Sequence, residues 1–354
     1  MTLLDRRTLF KAGAAGSGGL LLGPGAGLLS PAQAEPKVGR TLAGNLRIPW
    51  GVAFLPSGDA LVSERGSALV FRVRRTGGLK RVGRVNNVRA RGEGGLLGLA
   101  VSPTFSQDRW VYAYISTASD NRVVRMRYVE GELRDQQPVL AGIPTGSNHN
   151  GGRLAFAPGG LLYVSTGDAG DSSRSQRLSS KGGKILRMTP EGDVPADNPF
   201  GNYAWSLGHR NVQGLAFDRS GQLWATEFGQ DTRDELSRIV RAGNYGWPAV
   251  EGGDGPGGFR DPFVIWEPTS SCSPSGVAIT KGHAYVGALA GRALMRVDLF
   301  GDDKRTKRRF LHDRFGRIRT VALAPDGSLW ITTSNRDGRG DPREGEDRVV
   351  RIRV

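Results

Sequence analysis

The chain has 354 residues, with 49 Lys and Arg against 34 Asp and Glu, a formal charge of +15, and it carries 53 Gly, 19 Pro and one Cys. With 38% hydrophobic and 23% charged residues it can bury a sizeable core, which excludes wholesale disorder. A lone cysteine excludes an internal disulfide, the absence of clustered Cys/His spacing argues against structural zinc, and frequent Gly and Pro without long helix-period stretches exclude a helical bundle.

In chain order, the first element is an address. Asp5-Arg6-Arg7-Thr8-Leu9-Phe10-Lys11 precedes a Gly- and Ala-rich, weakly apolar stretch that ends in Ala32-Gln33-Ala34. Paired arginines, a mild apolar core and an A-x-A site predict a twin-arginine signal peptide over residues 1–34, cleaved after Ala34. The expected location is periplasmic or extracellular. Gly23, Pro24, Gly25 and Gly27 interrupt the apolar run, so no membrane span is expected, and Cys272 lies far from any lipid-anchoring position. Without Asp5, Arg6, Arg7 and Lys11 the mature chain still has 13 more basic than acidic residues. The basic runs at 304–309 and 72–91 interleave no aromatics and match no nucleic-acid motif, so they read as a solvated face and no nucleic acid is expected as a partner.

Beyond residue 35 one short phrase recurs six times: a small or polar residue, Val or Leu, Ala, then an apolar residue. Its alanines are Ala53, Ala100, Ala155, Ala216, Ala278 and Ala322. After each comes a turn and a second strand-like run, for example Pro158-Gly159-Gly160 before Leu162-Tyr163-Val164-Ser165, and Pro325-Asp326-Gly327 before Leu329-Trp330-Ile331-Thr332. Strand–turn–strand units at this spacing predict an all-β fold: one six-bladed β-propeller of four-stranded antiparallel blades over residues 35–354, with the alanines crowding the axis.

In a propeller the residues just before each phrase share one rim. Read in order they are Arg47 and Trp50; Glu93 and Gly94; Asn148 and His149; His209, Arg210 and Asn211; Cys272 and Ser273; Arg317 and Arg319. A histidine, an acid and several arginines on one rim suit a polyanionic, hydrogen-bonding small molecule with a base beside it.

The motifs around these residues resemble the pyrroloquinoline quinone (PQQ)-dependent glucose/sorbosone, or aldose sugar, dehydrogenases. The carriers are Ile48-Pro49-Trp50-Gly51, Gly92-Glu93-Gly94-Gly95-Leu96-Leu97-Gly98, Asn148-His149-Asn150-Gly151-Gly152-Arg153, Leu207-Gly208-His209-Arg210-Asn211, Asn244-Tyr245-Gly246-Trp247-Pro248 and Arg317-Ile318-Arg319. The resemblance implies an oxidoreductase that takes a sugar C1 hydroxyl to the lactone, with PQQ and calcium as cofactors and an electron acceptor that the sequence does not identify. It implies His149 as the base, Arg210 polarising the quinone carbonyl with Asn211 beside it, and Arg317 and Arg319 on the cofactor carboxylates. Trp266 would pack on the cofactor face, and Glu93 and Asn148 would bind sugar hydroxyls. The carbonyls of Gly229 and Gln230 would hold calcium, Gln230 standing where several relatives have Pro. Such roles suit the chemistry, since imidazole titrates near neutrality and planar guanidinium groups grip carboxylates.

One departure is Ala290, which stands where several relatives carry a quinone-binding lysine. Arg292 supplies the charge from a shifted position, or the cofactor is held more weakly, or PQQ is not bound. Two other readings of the chain are a calcium-dependent lactonase-type hydrolase and a non-catalytic propeller that binds sugars or polymers. His209 reads as orienting the loop beside Arg210, while Trp224, Trp247 and Trp330 read as packing residues.

Overall fold

Each repeated phrase forms the innermost strand of a four-stranded antiparallel sheet, and the six sheets stand side by side as blades. The computed structural model describes residues 35–354 apart from 254 and 256; the expected signal peptide, residues 1–34, lies outside the described residues. The inner strands are Pro49–Phe54, Leu96–Val101, Leu154–Phe156, Val212–Phe217, Pro274–Thr280 and Ile318–Leu323. Neighbouring inner strands touch all the way round, the sixth meeting the first, so the inner edges of all the blades are covered.

Closure uses the chain's two ends. Lys37–Ala43 adds to Val349–Arg353 as the outermost strand of the sixth blade, whose order is completed by Leu329–Thr333 and Ile318–Leu323. Pairing the first strand with the last resists opening of the ring, because separating the sixth blade from the first must also break this ladder. Helix is almost absent: among the described residues there is one turn, Phe105–Asp108, and two short 3-10 segments, Ser172–Ser175 and Thr269–Ser271. No described helix is long and apolar enough to cross a membrane.

Period-2 strands place apolar side chains on both faces of each blade, where they pack against the next blade. Between blades four and five, Trp224, Leu236, Val264 and Trp266 meet Val277, Val286 and Met295. Between blades six and one, Trp330 packs edge-on against Phe54 at 5.0 Å. Burying each such side chain stabilises the fold by roughly 1.5–3 kcal/mol.

The axis is tight for a different reason from the one the sequence suggests. It is the glycines two residues before the alanines that let the inner strands approach. A Cβ at Gly98 would collide with the Gly152 carbonyl, and one at Gly214 with the Ser275 carbonyl. Blade three carries Arg153 at this position and blade six Thr320. The Arg153 guanidinium lies 4.2 Å from the Trp50 ring centroid and donates to Gln213 O at 3.0 Å and Thr320 Oγ1 at 3.2 Å, so it bridges opposite sides of the ring.

Candidate active site

Glycine-rich loops that enter the inner strands end on one face of the propeller and enclose a cleft of about 250 Å³. Eight sequence-predicted residues line it together: Glu93, Asn148, His149, Arg210, Asn211, Gly229, Gln230 and Arg317. Arg319 lies deeper, in a narrow well beneath the cleft.

His149 sits at φ 53°, the left-handed region that an L-residue enters only when its surroundings impose it. Those surroundings are visible. Its N–H donates to Glu93 Oε2 at 3.1 Å, and its carbonyl accepts from Ala169 N at 3.0 Å over Gly167, where no Cβ would fit. The ring Nδ1 lies 2.7 Å from Asp168 Oδ1, and Trp247 Nε1 donates to the other Asp168 oxygen at 2.9 Å. Burial would raise the Asp168 carboxyl, but hydrogen bonds from His149, Gly170 and Trp247 outweigh it and hold the group below the usual carboxylate range. An ionised Asp168 accepts a hydrogen bond from Nδ1–H, which leaves Nε2 as the acceptor nitrogen. Asp168 was not legible from the sequence, and Trp247, read there as packing, lines the groove beside His149 and clamps this carboxylate.

Arg210 and Asn211 are aimed by Glu227, which the sequence reading also missed. Its Oε1 accepts from the backbone N–H groups of both Arg210 and Asn211, and its Oε2 lies 2.8 Å from His209 Nδ1. His209 is fully buried, with Nε2 at 2.9 Å from Ser206 Oγ and its ring stacked on Tyr245, so it does orient this loop. Asn211 Oδ1 accepts from Gly151 N and Gln213 Nε2. That fixes the amide and leaves Asn211 Nδ2, like Arg210 Nε, buried without a hydrogen-bond partner among the described residues. Two orphaned donors at a cleft wall ask for an acceptor oxygen on a ligand.

On the opposite wall Arg317 and Arg319 share Asp337 Oδ2, at 3.1 and 3.5 Å. Asp337 is held below the usual range because these two guanidinium groups outweigh its burial. Its other oxygen accepts from Arg339 N at 3.0 Å, which brings a third arginine to the rim. Arg339 reaches Glu93 at 3.4 Å, so Glu93 is already engaged on both oxygens, while Asn148 is exposed at the mouth.

The Gly229–Gln230 turn is pinned through its N–H groups. Gly229 N donates to Asp234 Oδ1, and a single oxygen of Glu251 accepts from the amides of residues 230–233. Among the described residues neither the Gly229 nor the Gln230 carbonyl accepts a hydrogen bond, so both oxygens are free for a hard cation, which takes such donors readily. No described cluster of three or more His, Cys, Asp or Glu side chains has metal-site geometry.

Three expectations need correction. Trp266 does not face the cleft: it ends the outermost strand of blade four and is 3% exposed in the core against blade five, because its indole completes that apolar layer. Cys272 is fully buried in the same core rather than on the rim, and burial pushes its thiol well above the usual range. Arg292 does not supply the cleft with a charge, since it is paired with Asp313 at 2.6 Å and lines a neighbouring cavity with Ala290, Arg317 and Arg339.

Comparison with known proteins gives the family. The family model described as glucose/sorbosone dehydrogenase matches residues 46–341. Among solved structures, the chain is similar to the PQQ-bound form of aldose sugar dehydrogenase from Streptomyces coelicolor: 48% identical, TM-score 0.87, covering 91% of this chain and 98% of that one. It is 32% identical over 332 residues to an aldose sugar dehydrogenase of Escherichia coli (strain K12), covering 82% of this chain and 88% of the relative. It is also 33% identical over 251 residues to quinoprotein glucose dehydrogenase B of Acinetobacter calcoaceticus, which covers 60% of this chain and 52% of that protein.

Proposed function

Because this chain belongs to the glucose/sorbosone dehydrogenase family, we propose that it is a PQQ- and calcium-dependent dehydrogenase that oxidises aldose sugars at the C1 hydroxyl to the lactone. The observation that carries this reading is the pairing of His149 with Asp168 through Nδ1, in the same cleft as the unpartnered Arg210 Nε and Asn211 Nδ2.

PQQ, when bound, supplies the two-electron acceptor for the hydride that leaves the sugar carbon. The chain supplies the rest. His149 Nε2 accepts the hydroxyl proton, and Asp168 keeps Nδ1 protonated and stabilises the imidazolium that forms. Arg210 and Asn211 would donate to quinone oxygens, where negative charge grows during the reaction. Arg317, with Arg339 beside it, would meet cofactor carboxylates, Asp337 setting the angle of the guanidinium fork. The free carbonyls of Gly229 and Gln230 would hold calcium. Asn148 and Glu93 border the space left for sugar hydroxyls. The electrons pass from there to an acceptor outside the chain.

Arg6-Arg7 and Ala32-Gln33-Ala34 support export by the twin-arginine route to the periplasm or the exterior. The deciding experiment for the activity uses purified apoprotein with PQQ, calcium and a panel of aldoses, with dye reduction as readout. Sugar-dependent reduction should require both additions and vanish on chelation. Activity that ignores cofactor and chelator would overturn the reading.

A further inference from the structure

Between the second and third strands of blade three the chain makes a long excursion, residues 166–183, part of which lines the groove beside His149. Three consecutive residues of it reach three different parts of the site. Arg174 Nη1 donates to the carbonyls of Asp168 and Ala169 at 2.9 and 3.3 Å. Ser175 Oγ donates to the His209 carbonyl at 2.6 Å, and Gln176 Nε2 to the Trp247 carbonyl at 2.7 Å. Asp168 is held through its other backbone group as well, its N–H donating to the Arg210 carbonyl at 2.8 Å.

The turn that carries them hangs on one side chain. Lys184 opens the third strand and is fully buried, and its Nζ donates to the carbonyls of Arg174, Ser175 and Gly182 at 2.8, 3.0 and 2.8 Å. An ammonium has three hydrogens and no acceptor, so the three carbonyls use it fully. Among the described residues no carboxylate pairs with it, and burial brings its pKa down to about 8, which leaves it charged at neutral pH. A buried ammonium costs stability that an apolar side chain of the same length would not, so packing does not account for it. The surroundings leave little slack: a Cβ at Gly183 would collide with Ser175 Oγ and the His209 carbonyl.

We infer that Lys184 is a positioning residue for the proposed reaction, its ammonium fixing the Ser172–Ser175 turn and, through it, the spacing of the two rim loops. On one side that turn holds the backbone of Asp168, the partner of His149; on the other it holds the loop that presents Arg210. Lys184 touches neither sugar nor cofactor and acts only through these contacts. The role rests on the sugar oxidation proposed above, but the loop geometry behind it belongs to the apoprotein and is tested there first.

The test compares the full-length protein with Lys184→Met, which keeps an unbranched side chain and removes the three donors. The chain has four histidines, few enough to assign in ¹⁵N spectra of the apoprotein. His149 should hold the Nδ1–H tautomer in wild type and average between tautomers in Lys184→Met. In the PQQ- and calcium-loaded protein, kcat per loaded molecule should fall by about 10²-fold, the usual cost of misplacing a reacting group by about 1 Å, with sugar KM little changed. A lowered thermal midpoint with the wild-type tautomer and wild-type kcat would make Lys184 a structural residue only and overturn the inference. Arg174→Met cuts the link to Asp168 and leaves the Lys184 contacts in place. It should move both readouts in the same direction, and the double variant should lose no more than Lys184→Met alone, because both act through one chain of contacts. If Lys184→Met fails to fold, Arg174→Met decides, and wild-type behaviour there overturns the inference. Should wild type oxidise no sugar with PQQ and calcium, the proposed function fails, while the apoprotein spectra still decide whether Lys184 holds Asp168 against His149.

Discussion

Two loops of the rim use the same chemistry to different ends. The loop before the third inner strand and the loop before the fourth each carry a histidine whose Nδ1 meets a carboxylate: His149 with Asp168 at 2.7 Å, and His209 with Glu227 at 2.8 Å. In the fourth blade the second ring nitrogen is tied to Ser206 and the ring is sealed under Tyr245, with no exposure. In the third blade the second nitrogen has no partner among the described residues and the ring opens on the cleft, 14% exposed. A carboxylate partner therefore says nothing about whether a histidine reacts. What meets its other nitrogen separates a proton acceptor from a brace.

The sharpest test of that contrast is His149→Ala. Turnover of the PQQ-loaded protein should fall by about 10²–10⁴-fold, the usual worth of a general base, with the thermal midpoint nearly unchanged. Near-wild-type turnover would remove His149 from the reaction.

Asp168→Asn comes next. Its amide leaves the imidazole free to take the wrong tautomer, and turnover should drop by up to about 10⁴-fold, the loss known for the same change beside a catalytic imidazole. Acid melts add a second readout. The Asp168 pKa is depressed in the fold, so its contribution to stability is present above the unfolded value, about 3.9, and is lost as pH falls through the lower folded value. The gap between wild-type and Asp168→Asn midpoints should accordingly shrink below about pH 4. A gap that stays constant from pH 7 to pH 3 would contradict this.

His209→Ala should show the reverse pattern. Removing His209 leaves Glu227 Oε2 without its hydrogen-bond partner, a cost of about 1–3 kcal/mol, so the midpoint should fall by several degrees. Turnover per folded, cofactor-loaded molecule should change by less than about tenfold, and a collapse of turnover with unchanged stability would erase the distinction between the two loops.

The smallest effect belongs to Ala290→Lys. Arg317 and Arg339 already line both the cleft and the cavity beside Ala290, so one more cation should tighten PQQ by less than about tenfold, under about 1.4 kcal/mol. A much larger gain in a titration of apoprotein with PQQ would show that the existing arginines leave the cofactor undersupplied with charge.

The blades were legible in the chain because a hairpin is a local object. Pro158-Gly159-Gly160 and Pro325-Asp326-Gly327 set turns between period-2 strands, and those strands do pair as Leu154–Phe156 with Leu162–Ser165 and Ile318–Leu323 with Leu329–Thr333. His149, Arg210, Asn211 and Arg317 were legible for a related reason: each lies next to an inner strand, and radial repetition carries all such positions to one face. The same reasoning failed for Cys272, which is buried in the core, while Trp266 came only from the resemblance, which says nothing about which face of the blade it occupies. It also assigned the axial crowding to alanines, although the close contacts fall on Gly98 and Gly214.

Sequence alone, then, determined how many blades there are, where each hairpin turns and which loops reach the rim, since turn chemistry and side-chain alternation act over a few residues. Tertiary structure alone decided the partners. Asp168 lies 19 residues from the histidine it holds, Glu227 lies 18 from His209, and Asp337 comes from another strand connection 20 residues beyond Arg317. The final strand of the ring is the first strand of the domain, Lys37–Ala43, paired with Val349–Arg353 from the far end of the chain. Such contacts depend on where six independent hairpins stop around an axis, and no local pattern in the chain encodes that distance.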